Sequence, residues 1–221
     1  MGRTWDWDFA LEILADLLEG LWVTIQATLV GIIIAVTLGL GLALLRRSRH
    51  KVVAWPTGAF VEFIRGTPLL VQLFFLFFVL PDLGIVLTGF TAGVLGLGVH
   101  YATYCSEVYR SGIENVPKGQ WEASTALNLH PRETWRSVIL PQAVPTVIPA
   151  LGNYLVAMFK DAPLLFSITV VELLATARSI SSVTFRPLEA YTLAGVLFLV
   201  VSIPSAIFVR RLEGRYGYAR S

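Results

Sequence analysis

The chain has one cysteine, three histidines and charged residues at only 14% of its 221 positions. A lone thiol, Cys105, excludes an internal disulfide and a cysteine-built metal site, so a buried structural thiol is expected. His50, His100 and His130 stand at no metal-ligand spacing, and neither His-Glu-x-x-His nor Gly-x-Ser-x-Gly occurs. With no Gly-x-x-x-x-Gly-Lys-Ser/Thr either, the chain has no P-loop of its own to cradle ATP phosphates. No covalent catalysis, metal or cofactor is expected. The basic residues gather at the ends of apolar runs and form no stripe, which argues against nucleic acid. The first residues lack the positive start of a cleavable signal and carry Asp6, Asp8, Glu12, Asp16 and Glu19 instead.

Apolar residues are what the chain has in excess: 55% of the sequence, at a mean hydropathy of +0.69. A bilayer crossing takes about 20 mostly apolar residues. Five runs near or above that length are predicted as spans, at about 21–45, 52–80, 90–110, 142–160 and 189–209. Trp5, Trp7, Phe9, Leu11, Leu14, Leu17 and Leu18 give residues 5–19 an apolar face, which predicts an amphipathic interfacial helix. Trp5, Trp7, Trp22 and Trp55 read as interface-belt residues. Lys and Arg stay on the cytoplasmic side. Arg46, Arg47, Arg49 and Lys51 mark one inner loop, Arg110, Lys118, Arg132 and Arg136 a second, and Arg210, Arg211, Arg215 and Arg220 an inner tail. The opposite side carries only Arg3, Lys160, Arg178 and Arg186. The expectation is an all-α integral membrane fold in one domain, its N-terminus outside and its C-terminus inside. Between 163 and 188 the apolar stretch Ile168–Leu174 is too short to cross, and a re-entrant or interfacial outer helix is predicted.

Residues 117–141 form a polar island between two spans. Gly119 precedes a predicted short helix with a weak apolar face (Trp121, Ala123, Ala126, Leu127), and His130-Pro131 stops it. Pro131 suits the first turn of a second short helix over 132–139, halted at Pro141. Either a two-helix hairpin offered to a partner or a plain cytoplasmic loop fits this pattern. Glu62 and Arg65 lie three apart on one helical face, and Arg65-Gly66-Thr67-Pro68 should bend the helix. They are part of a gate or an anchoring ion pair. Glu107 and Arg110 repeat the spacing near Tyr101, Tyr104 and Tyr109, as a solute-facing carboxylate or the partner of a snorkelling Arg. Pro141, Pro145, Pro149 and Asn153 recur every four residues, lining a cavity or simply curving the helix. Lys160-Asp161 ends the fourth run, as a contact for solute or partner or as an ordinary helix terminus.

The island resembles the EAA loop of ABC importer permeases: Glu-Ala-Ala, three residues, Gly, nine residues, Ile, one residue, Leu-Pro. Here it reads Glu122-Ala123-Ser124, Asn128, Val138 and Leu140-Pro141, with Ser for Ala and Asn for Gly. Asn is the residue next best suited to a left-handed turn. Three more stretches are similar to the polar amino acid uptake branch: Glu62 to Gln72, Tyr104 to Ile113, and Lys160-Asp161-Ala162-Pro163-Leu164-Leu165, with Ala162 where Thr or Ser is usual. Ala150-Leu151-Gly152-Asn153-Tyr154 and Ala126-Leu127-Asn128 look most like ectoine/hydroxyectoine permease subunits.

The resemblance implies a type I ABC importer permease fold in the bacterial cytoplasmic membrane, moving polar amino acids or related zwitterions. It implies a second permease, identical or sister, two ABC ATPase subunits and an extracytoplasmic solute-binding protein. Gly119, Gln120, Trp121, Glu122, Ala123, Ser124, Ala126, Leu127, Asn128 and His130 would couple to the ATPase. Glu62, Arg65, Thr67, Pro68, Tyr104, Glu107, Asn153, Lys160 and Asp161 are the candidates for the translocation path or gate. An ion-gradient carrier and a non-transporting membrane anchor are the competing readings.

Overall fold

The computed structural model describes residues 5–217, with no strand among them; Arg3 and Arg220 lie outside the described residues. Asp6 caps α1 (Trp7–Glu12), accepting from the Asp8 and Phe9 backbone N–H groups at 3.1 and 3.2 Å. Arg186 pairs with Asp6 at 2.6 Å and lies 4.6 Å above the Phe9 ring. That hydrogen bond holds the Asp6 carboxyl below its ordinary value. The strap therefore persists at neutral pH and weakens only as falling pH titrates Asp6. The expected interfacial segment 5–19 divides at Ile13. Residues beyond it open α2 (Leu14–Arg46), whose 33 residues reach roughly 50 Å and so outrun the bilayer.

Helix α2 lies tightly along α5 (Gly89–Glu114), and Ala27, Ala35, Leu97 and Cys105 share one core. Closeness there rests on Gly39: a Cβ would meet the Cys105 Cβ at 2.7 Å and the Ala102 carbonyl at 2.8 Å. Small residues let helices approach where the hydrophobic effect offers no drive. Cys105 is the buried thiol expected.

The run 52–80 is not one helix. α3 (Lys51–Arg65) ends at Gly66-Thr67-Pro68, where the axis turns by 103°. α4 (Leu69–Phe74) follows, widening into a π turn at Phe75–Val79 and tightening into a 3₁₀ turn at Leu80–Leu83. Pro68 has no N–H to give and holds extended angles (φ −61°, ψ 138°), so α3 cannot continue through it. The bend was legible in the sequence; its size was not.

α6 (Lys118–Ala126) starts one residue before Gly119, which is therefore inside the helix. Asn128 takes φ 52°, the left-handed conformation its position calls for. α7 (Pro131–Glu133) passes through a π turn at Thr134–Ile139 straight into α8 (Leu140–Asp161). Pro141 does not halt the helix as expected: the π turn at Thr134–Ile139 comes just before it, and the helical path continues through it into α8. The four-residue proline spacing drifts about 40° per step on a 3.6-residue helix. Pro141 and Asn153 are accordingly exposed while Pro149 is buried, so the four share no single face.

A 3₁₀ turn (Ala162–Ile168) leads to α9 (Leu173–Thr184) and then α10 (Pro187–Gly217). The middle of the apolar stretch 168–174 is therefore not helical, and α9 starts only at its end, at Leu173. Among the described residues, three helical stretches are long and apolar enough to cross a membrane: Leu14–Arg46, Pro131–Ile168 and Pro187–Gly214. The bent pair, taken as one span, makes a fourth. α5, with 26 residues, has the length but a more polar make-up, since much of it packs inside the protein.

Glu172 is fully buried and caps α9, accepting from the Leu174 and Ala175 N–H groups at 2.9 and 2.7 Å. Burial pushes its carboxyl up from 4.5 to about 7, against the pull of those two donors. A raised acid makes ionisation costly to the fold, so the contribution of Glu172 to stability is full below about 4.5 and is lost as pH rises through about 7. Thermal unfolding in detergent should give a higher Tm at pH 5 than at pH 8. Glu172→Gln should flatten that slope; an unchanged slope would place its origin elsewhere.

Candidate translocation site and coupling hairpin

Three guanidinium groups converge on one carboxylate where α2, α3 and α5 meet. Glu107 pairs with Arg46, lies 3.5 Å from Arg65 and accepts from Arg110 at 2.7 Å. Arg65 also reaches Glu62 at 3.6 Å, and Arg110 reaches Glu114 at 2.7 Å. The Glu62–Arg65 and Glu107–Arg110 pairs follow from helical spacing. Arg46, from another helix, could not be read that way. Because Glu107 is the shared partner, its loss would leave Arg46 without a counter-charge beside two further guanidinium groups, while Arg65 and Arg110 keep Glu62 and Glu114. A cavity of about 270 Å³ opens beside Glu107, lined also by Ser111, Asn115, Thr146 and Ala150.

One turn along α5, Arg65 stacks 5.3 Å over the Tyr104 ring. Tyr104 begins an aromatic cluster with His100, Tyr101 and Tyr154, whose ring centroids lie 5.2 to 6.1 Å apart. The Tyr101 hydroxyl donates to Asp161 at 2.6 Å, tying α5 to the end of α8. Ring faces, one carboxylate and a guanidinium give this cluster the means to hold a cation and an anion together. Of the residues predicted for the path, the fold gathers Glu62, Arg65, Tyr104, Glu107 and Asp161 along this line. Thr67 and Pro68 form the adjoining elbow. Asn153 and Lys160 are elsewhere: Asn153 donates to Glu213 at 2.8 Å, and Lys160 lines a cavity of about 430 Å³ against α10. Sequence reasoning missed Arg46, Gln72, His100 and Tyr154 and left Tyr101 in the background. The stretches matching the branch already contained Gln72, a signal left unused.

The hairpin is rooted through Trp121, stacked edge-on to Trp135 at 5.5 Å, and these pack with Val138 on Ile113, Val116, Ile139 and Ala143. Ser124 is buried beside them, its hydroxyl donating to the Gln120 carbonyl at 2.7 Å, so a small residue is required there. Arg47 lies 5.6 Å over Trp135 and joins the hairpin to the α2–α3 corner. His130 caps α7 by accepting from the Arg132 N–H. The predicted apolar face is corrected: Trp121 turns inward, whereas Ala123, Ala126 and Leu127 are exposed with Gly119, Gln120 and Glu122. Leu127 is 72% exposed.

Residues 27–218 match the family described as binding-protein-dependent transport system inner membrane component. The chain is similar to a probable amino-acid ABC transporter permease protein of Sinorhizobium fredii, y4tG, being 48% identical over 96% of this chain and 94% of that one. A second protein of the same strain and description, y4tF, is 32% identical over 94% of this chain and 89% of its own length. The solved structure of an amino acid ABC transporter with histidines superposes at a TM-score of 0.91, with 33% identity, covering 96% of this chain and 100% of that one. With the broken span, the outward-facing hairpin and these likenesses together, the chain belongs to the inner membrane components of binding-protein-dependent transport systems, among the permeases of amino-acid ABC transporters.

Proposed function

We propose that this permease carries polar amino acids or related zwitterions, ectoine and hydroxyectoine among them, across the bacterial cytoplasmic membrane. It does so in five crossings, N-terminus outside and C-terminus inside, and takes its drive from a separate ATPase pair. The observation that carries this reading is the hairpin. It is anchored by Trp121, Trp135 and Ser124 yet presents Gln120, Glu122, Ala123 and Leu127 outward. ATP binding would close the ATPase pair, the hairpin would move with it, and the bundle would switch the side to which the path opens. Solute and nucleotide must favour different states for such coupling to work.

Within the path, Asp161 and the tyrosine faces receive the ammonium of the solute, and Arg65 its carboxylate. A solute-binding protein delivers it from outside. The second permease is an identical copy or a sister chain; the coexistence of y4tG and y4tF in one strain supports the sister.

The interrupted α3–α4 element is a feature shared with ion-gradient carriers, which use paired interrupted spans. Uptake into proteoliposomes separates the two. With the ATPase and binding protein present, labelled amino acid should accumulate only when ATP is available to the ATPase. Accumulation on an ion gradient without any ATPase would establish the carrier instead.

A further inference from the structure

One side chain of α4 reaches back across the elbow to α3, where the Thr67 hydroxyl also donates to the Phe63 and Ile64 carbonyls. The Gln72 amide nitrogen lies 2.8 Å from the Ile64 carbonyl, 3.1 Å from the Thr67 carbonyl and 2.8 Å from the Thr67 hydroxyl. Two amide hydrogens thus serve three acceptors around the break. Gly66, Thr67 and Pro68 interrupt the helix ladder there; the Ile64 carbonyl also accepts from the Thr67 N–H, whereas the Thr67 carbonyl takes the Gln72 amide, and a carbonyl left unpaired in an apolar setting would be costly. The other end of the same amide faces α5: Gln72 Oε1 is 3.2 Å from His100 Nδ1. His100 is 9% exposed and packs against the Tyr101 and Tyr104 rings at 5.5 and 5.2 Å. Gln72 consequently spans from the open end of α3, the segment carrying Arg65, to the imidazole behind the aromatic cluster.

We propose that Gln72 is a positioning residue for transport, clamping the angle of the broken span to the placement of His100 and its tyrosines. A swing of α3 relative to α4 must break the bonds to Ile64 and Thr67, and with them the fixed register of Gln72 toward His100. The elbow and the aromatic cluster therefore change together. A Gln is suited to this because it donates and accepts at once: Glu keeps only the acceptor toward His100, and Met keeps only the shape. The proposal rests on the reading of the aromatic cluster as part of the solute path.

The test uses the complete transporter, permease with ATPase and binding protein, in proteoliposomes. Gln72→Met should lower amino-acid uptake at least tenfold and bring solute-stimulated ATP hydrolysis down to the unstimulated rate, while co-purification of the ATPase is retained. His100→Asn should lower uptake as well, and the double variant should be no worse than Gln72→Met alone, since both cut one linkage. Uptake within twofold of the unsubstituted protein, or losses that multiply in the double variant, would overturn the proposal. Should Gln72→Met fail to assemble, Gln72→Glu carries the same test, keeping volume and acceptor while losing the donors. A tenfold loss supports the clamp and a change under twofold refutes it. Tyr101→Phe separates this from the reading beneath it. If it leaves uptake intact while Gln72→Met does not, the path assignment fails and the clamp stands. If Tyr101→Phe impairs uptake and Gln72→Met does not, the clamp alone fails.

Discussion

Asp161→Asn should cut amino-acid uptake by the assembled transporter by about tenfold or more, and Tyr101→Phe by a comparable factor. The Tyr101 hydroxyl donates to Asp161 at 2.6 Å, a charge-assisted bond between α5 and the end of α8. Hydrogen bonds to a charged group contribute about 1.5–3 kcal/mol, and each 1.4 kcal/mol is about a tenfold change. Asn is nearly the shape of Asp, so this substitution removes the negative charge and little else. A solute held by its ammonium loses its counter-charge. Tyr101→Phe keeps the ring face but frees the carboxylate from its fixed direction. Initial rates at saturating binding protein measure both effects, and rates within twofold of the unsubstituted transporter would remove Asp161 from the path. The sister site Lys160 offers a contrast. It faces the cavity against α10, away from the tyrosines, so Lys160→Met should leave the rate nearly unchanged.

Glu122→Arg should abolish ATP-driven uptake although the chain still folds. Glu122 is exposed and forms no ion pair among the described residues. Surface substitutions of that kind move stability by about 0.5 kcal/mol or less. At a docked interface the same change is far more serious, because juxtaposing like charges costs several kcal/mol and misplaces the contact. The neighbouring surface of α6 has the small residues Gly119, Ala123 and Ala126 and the exposed Leu127, a face shaped to be covered closely. Reversal at Glu122 should therefore act on the partner rather than on the root, which Trp121, Trp135 and Ser124 hold from the other side. Gel filtration should show the permease intact while uptake falls to background.

What the sequence revealed and what it hid divide along a physical line. Features set by neighbours in the chain were readable. The elbow follows from Gly66 and Pro68, the Glu107–Arg110 pair from a three-residue spacing, and the left-handed turn from Asn128. Features made by helix packing were not. Arg46 meets Glu107 across 61 positions, and Tyr101 meets Asp161 across 60. The first meeting depends on the close approach of α2 and α5 that Gly39 permits and the second on the packing of α5 against α8, neither of which periodicity reports. Helix α2 also begins earlier than its apolar run, because a helix leaving the bilayer can keep Asp16 and Glu19 in water without ending. Periodicity grouped Ala123, Ala126 and Leu127 with Trp121 on one weak apolar face; in the fold the Trp121–Trp135 pair turns Trp121 inward and leaves the other three exposed.

Transport of this kind requires that the hairpin transmit nucleotide-driven work. The most direct measurement is ATP hydrolysis by the complete transporter in lipid nanodiscs, with and without solute-loaded binding protein, for the unsubstituted chain and for Glu122→Arg. Solute should accelerate hydrolysis severalfold in the first and not at all in the second, with the ATPase subunits still present. Equal acceleration in both would show that the hairpin is no lever.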